Sequence, residues 1–137
     1  MEVLNSREFA RTLQRCCSYP KYSVGVMFDN AARQREFVAE MRASQNTDWN
    51  VPRYGSTIRF SNGSYIKPIV TDGVSFRGQR FNEILFDGDL FTDEYVGTVF
   101  KPMLKSYTIP EGELNGNDEA GDDNALNDFL GAFKIHE

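Results

Sequence analysis

GSTIRFSNGSYIKPIVTDGVSFRGQRFNEILFDGDLFTDEYVGTVFKPML, residues 55–104, is the stretch whose reading decides the fold. Two runs of β-formers, Thr57 to Phe60 and Tyr65 to Val70, flank Asn62-Gly63. Asn-Gly between such runs is a strong hairpin signal, because both residues tolerate φ > 0. Pro68 has no N–H to give a ladder, so the second run reads as an edge strand. Thr71-Asp72-Gly73 marks a further turn. Glu83 to Asp87 (EILFD) carries the consecutive apolar residues of a strand buried on both faces and ends in an acid. Thr92 is a candidate cap for a helix through Leu104.

Working upstream, residues 44–55 are polar with Pro52 and Gly55 and read as a loop, with Trp49 a contact residue or part of the core. Asp29-Asn30 can cap a helix from Ala31 to about Ala43, with Phe37, Val38 and Met41 inward and arginines outward. Tyr22 to Phe28 (YSVGVMF) reads as another buried parallel strand. Asn5 followed by Glu8 has the spacing of a capping-box variant, and Phe9, Leu13, Cys16 and Cys17 then form an apolar helical face that ends at Tyr19-Pro20. The order is α-β-α-β-hairpin-β-α. It implies an α/β fold: a small open sheet with flanking helices and an inserted β-hairpin, over residues 1–109.

Downstream, the composition changes. Residues 110–137 hold eight acids against Lys134, a net of −7, whereas residues 1–109 hold 14 bases against 12 acids, a net of +2. Residues 110–124 read as an acidic flexible linker, and 125–137 as an amphipathic segment. There Leu126, Phe129, Leu130 and Phe133 fall at i, i+3, i+4 and i+7. With Asp122 and Asp123 they are candidate partner-binding residues. They form either a last helix packed at home or a tethered hook for a partner's groove.

Adjacent Cys16 and Cys17 make a poor disulfide with each other, and the sole histidine, His136, has no ligand cluster around it, so neither metal nor redox chemistry is expected. No apolar run approaches a membrane span, and Met1 to Cys17 lacks the apolar core of a signal peptide. The expected location is the host cytoplasm, or a virion assembled there.

Residues 20–105 resemble the middle of the ATPase domain of phage terminase large subunits. The matching pieces are Ile58-Arg59-Phe60-Ser61-Asn62-Gly63-Ser64-Tyr65-Ile66, then Arg77-Gly78, then Ile84-Leu85-Phe86-Asp87, which stands where that family has its Walker B strand. The resemblance implies a reduced P-loop-NTPase-like core. The departures carry more weight. A phosphate loop needs glycines around the phosphates, a lysine and a hydroxyl, yet the chain holds no G-x-x-x-x-G-K-[ST] and begins where that motif should already have ended. Asp87 matches the magnesium-holding aspartate, but Gly88 stands where the catalytic glutamate belongs, and Asp89 comes one residue late, where its side chain points elsewhere. Asp87, Gly88 and Asp89 thus form a degenerate Walker B. The carboxylates read as a solvated strand end rather than a metal pair, with no catalytic residue, metal or cofactor expected. Arg77 reads as a surface or hairpin-anchoring arginine.

Arg33, Arg35, Arg42 and Arg59, with Arg53, are candidates for a face towards nucleic acid or an acidic partner; a body charge of only +2 argues for weak or absent nucleic-acid binding. The expected function is that of a phage or prophage protein without catalysis. It would act by protein binding as an inhibitor or regulator of a host or phage nucleic-acid machine, host defence such as CRISPR systems included. The alternatives are a DNA-packaging accessory working with a terminase motor, and an ATPase subunit whose nucleotide site is completed in trans.

Overall fold

A computed structural model of the protein describes residues 1–72, 75–88 and 91–108. Two asparagines start its two long helices. The Asn5 side chain accepts from the Glu8 N–H at the head of α1 (Ser6–Ser18), and Asn30 accepts from the Arg33 N–H at the head of α2 (Ala31–Ala43). Each satisfies an N–H that the first helical turn leaves without a partner. The inward faces are Phe9, Leu13 and Cys16 on α1, and Phe37, Val38 and Met41 on α2. Cys17, expected on the apolar face of α1, is exposed, because Cys16 and not its neighbour lies on the Phe9–Leu13 stripe.

The strands are β1 (Glu2–Val3), β2 (Ser23–Phe28), β3 (Trp49–Asn50), β4 (Ile58–Phe60), β5 (Tyr65–Val70) and β6 (Glu83–Asp87). They form one mixed six-stranded open sheet in the order β1-β6-β2-β5-β4-β3. The first four in that order are parallel, and β4 and β3 add antiparallel pairs at the far side. β2 lies at the centre and is buried along its whole length, as its unbroken run of β-formers requires.

The hairpin is not an insertion beside this sheet. Its second strand, β5, is the parallel partner of β2 over six residue pairs, Ser23–Tyr65 to Phe28–Val70. Pro68 is accommodated because β4 pairs with β5 only at Tyr65 and Ile66, which leaves the rest of β5 as an edge. Odd-numbered residues of β5 donate towards β2, as Tyr65 does to Tyr22, so Pro68 faces that open edge, where Gln34 Nε2 donates to its carbonyl at 3.0 Å. The turn also differs from a two-residue Asn-Gly loop. Gly63 N–H donates to Phe60 O and Phe60 N–H to Ser64 O, a three-residue loop in which only Gly63 has positive φ, +90°.

Alternation sends side chains to two cores. Val24, Val26, Phe28, Ile58, Phe60, Ile66 and Leu85 pack under α1 and α2. Met27, Ile69 and Ile84 pack on the other face against Phe76, Phe81, Val99, Phe100 and Met103. That second face is covered by a 3₁₀ turn (Ser75–Gly78) and an irregular helical run: α3 (Asp93–Tyr95), a π turn (Val96–Phe100) and a 3₁₀ turn (Lys101–Met103). Thr92 caps the run by accepting from Tyr95 N–H. Pro102 explains why no regular helix reaches Leu104: it lacks an N–H and its ring crowds the preceding turn. Among the described residues no helix is long and apolar enough to cross a membrane.

Candidate functional site

In an open α/β sheet, ligands bind outside the carboxyl ends of the strands, where neighbouring strands send their connections to opposite faces. One such place here lies between β2 and β6. The chain leaves β2 into α2 on one face and leaves β6 towards α3 on the other. Asp29 follows β2, Asp87 ends β6 and Gly88 follows it, in a register that pairs Phe28 with Asp87.

Several of the protein's own groups meet in this crevice. Arg33, in the first turn of α2, donates from Nε to Asp87 Oδ2 at 3.0 Å and from Nη1 to Glu36 at 2.6 Å. The Asp87 carboxylate, then that of Glu36, raises the pKa of the guanidinium further above its ordinary value. Gly88 has φ +139°, and a Cβ placed there would lie 2.5 Å from Asp29 Oδ2. The Asp29 carboxylate therefore occupies the space that a side chain at position 88 needs, and the backbone conformation disfavours any L side chain there. Asp87 is thus no solvated strand end; it is ion-paired and mostly covered. Asp89 lies outside the described residues. Among those described, no group of three or more His, Cys, Asp or Glu side chains is placed to hold a metal ion.

The four candidate arginines do not share a face. Arg33 is committed to Asp87 and Glu36. Arg35 is exposed on α2, and Arg42 donates to the carbonyls of Pro52 and Gly55, tying the end of α2 to the loop before β4. Arg59 lies on the opposite side of the sheet, since its neighbours Ile58 and Phe60 point under α2. Arg77 is exposed, with its guanidinium 6.0 Å from the Phe76 ring centre.

On that opposite side Arg59 belongs to a cleft of about 370 Å³ lined by Thr57, Arg59, Tyr65, Lys67, Gln79, Arg80 and Phe81. None of these residues is acidic. Arg59 stands opposite Tyr65 across the β4–β5 ladder, and Lys67 is two residues on, so all three share one face. Arg80 arrives from the loop before β6 and donates to the carbonyls of Arg77 and Gln79. Arg59, Lys67 and Arg80 enter no ion pair among the described residues. Sequence reasoning singles out Arg59 and misses Lys67, Arg80, Gln79 and Thr57. The alternation of β4 and β5 holds a readable signal for Lys67; nothing local points to Arg80.

Trp49, which reads in sequence as a contact residue or part of the core, is fully in the core beside Phe60, and its indole N–H has no hydrogen-bond partner among the described residues. The segment around it is ordered by Asn46, whose side chain accepts from Asp48 and Trp49 N–H, setting up the short strand β3. The candidate tail residues Leu126, Phe129, Leu130, Phe133, Asp122 and Asp123 lie outside the described residues.

No family model, no curated protein and no solved structure matches this chain.

Proposed function

We propose that the chain is a non-catalytic binding protein, a phage or prophage product whose core resembles a reduced terminase ATPase domain. It acts by protein contact as an inhibitor or regulator of a nucleic-acid machine of host or phage. The observation that carries this reading is the Arg33–Asp87 ion pair at 3.0 Å in the crevice between β2 and β6. A magnesium-holding aspartate must present its carboxylate to the metal and the phosphates. Asp87 presents it to a guanidinium from its own chain, and Gly88 offers no acid beside it. The family likeness draws support from the interior position of β6 between β1 and β2, its parallel pairing with both and the acid at its carboxyl end. The connection from β1 to α1 is only Leu4 and Asn5, which leaves no loop there to wrap a phosphate.

Calorimetric titration with ATP and magnesium tests the reading. The expected result is no binding and no hydrolysis. Micromolar binding overturns it and favours a nucleotide site. Affinity capture then assigns the partner: a host complex fits the regulator, and terminase or portal fits a packaging accessory.

A further inference from the structure

We propose that the cleft between β4, β5 and the loop before β6 binds the backbone phosphates of a single-stranded nucleic acid. This inference does not rest on the nucleotide reading. The cleft lies on the face away from α2 and towards the amino ends of the strands, whereas Asp87 lies at the carboxyl ends.

Three cations converge there, and none has a carboxylate partner among the described residues. Proteins seldom gather like charges around a concavity without an anion to offset them, because the mutual repulsion is felt most where water is partly excluded. Thr57, Gln79 and the Tyr65 hydroxyl add neutral donors along the same walls. Asp48 shares an adjoining cleft with Arg59 but makes no ion pair with it.

Phosphodiester is favoured over an acidic peptide by the segment that runs into the cleft. Tyr54 is 91% exposed, with the Arg53 guanidinium 5.2 Å from its ring centre. It precedes the cleft residue Thr57 by three positions, a reach of at most about 11 Å. An exposed ring in the segment that leads into a cationic groove offers the pairing by which bases stack while phosphates are neutralised. A single strand is favoured over a duplex because the cations line the walls of a cleft. A flexible strand lowers its phosphates into it; a duplex carries them on a stiff cylinder. The modest net charge of the body, a sign of weak nucleic-acid binding when taken as a whole, averages over both faces and conceals this local concentration.

Fluorescence anisotropy of the full chain with a labelled oligothymidine of about 16 nucleotides tests the proposal, from about 50 to 200 mM salt. The triple variant R59Q/K67Q/R80Q is expected to lose at least about tenfold in affinity at low salt, and its salt slope to flatten by about 2, since each single-strand phosphate contact contributes about 0.7. The double variant R59Q/R80Q alters only exposed side chains and so keeps the fold; its slope should flatten by about 1.4. Y54A should weaken binding without changing the slope. R35Q, on the α2 side, should change nothing. Absence of oligonucleotide binding by the unaltered protein at low salt overturns the proposal, as does equal loss in R35Q. So does capture of a synthetic acidic peptide in place of the oligonucleotide.

Discussion

The two ends of the parallel strands are built in opposite ways. At the carboxyl ends a few exposed or half-covered groups pair off: Arg33 with Asp87 and Glu36, and Asp29 with Asn30. At the amino ends there is a denser, part-buried polar network. Glu83 accepts from Thr12, Arg15 and the Tyr22 hydroxyl. Ser23 and Asn82 exchange bonds across the strand starts, and Asn82 reaches on to Ser106. Asn62 donates to the carbonyls of Cys16, Cys17 and Tyr19, closing the end of α1, while Ser64 links Tyr19 to Tyr22. Burial, then the Glu83 carboxylate, pushes the Cys16 thiol and the Tyr22 phenol above their ordinary pKa values. The end where α/β proteins place ligands is therefore lightly held here, and the opposite end carries the structural polar bonds. It follows that Asn62-Gly63-Ser64 has a scaffold role: the hairpin turn is the cap that locks α1 to β2 and β5.

The sharpest way to break this contrast is at Glu83, whose side chain is only 13% exposed. Glu83→Ala strips an acceptor from Thr12, Arg15 and Tyr22 at once and takes a carboxylate away from a partly buried guanidinium. The expected loss is about 3 kcal/mol, read from the shift in urea midpoint. A loss under about 1 kcal/mol would mean that water replaces the carboxylate and that the amino end is not the structural anchor.

A smaller effect sharpens the same side. Gly63 holds φ +90°, and a Cβ there would come within 3.2 Å of Lys21 Cγ. Gly63→Val therefore strains the loop and disturbs the cap on α1 together, with an expected loss of about 1–2 kcal/mol. An unchanged melting temperature would show that the turn floats free of α1.

Much of this fold is legible in the sequence. The caps at Asn5, Asn30 and Thr92 and the runs of β2, β5 and β6 carry local signals, since each needs only its own neighbours to be read. β1 and β3 escape such a reading because two-residue strands have no periodicity; both exist through pairing with β6 and β4. The integral position of the hairpin escapes it because parallel pairing of β5 with β2 depends on where α2 sends the chain. The same limit governs the sites. Asp87 and Gly88 are visible as a degenerate motif, but that Arg33 holds Asp87 joins residues 54 positions apart. The arginines look like one set in sequence, and the sheet divides them between its faces.

The smallest effect is expected at the carboxyl end, and it is the other half of the contrast. Asp87→Ala removes one partner from Arg33, whose side chain is 35% exposed and keeps Glu36 at 2.6 Å. The freed guanidinium retains water and a second carboxylate, so the pair is worth little more than a surface ion pair. A stability change within about 1 kcal/mol is expected, and less at high salt. The Asp29 carboxylate beside Gly88 makes no bond to Asp87 and is untouched by the change. Two measurements on this variant carry the comparison. Urea unfolding should place it well above Glu83→Ala in stability, and partner capture should match the unaltered chain. If Asp87→Ala instead destabilises as much as Glu83→Ala, both ends are structural and the contrast fails. If it abolishes partner capture while leaving stability intact, the carboxyl-end crevice is itself the functional surface, and the ion pair is part of what the partner reads.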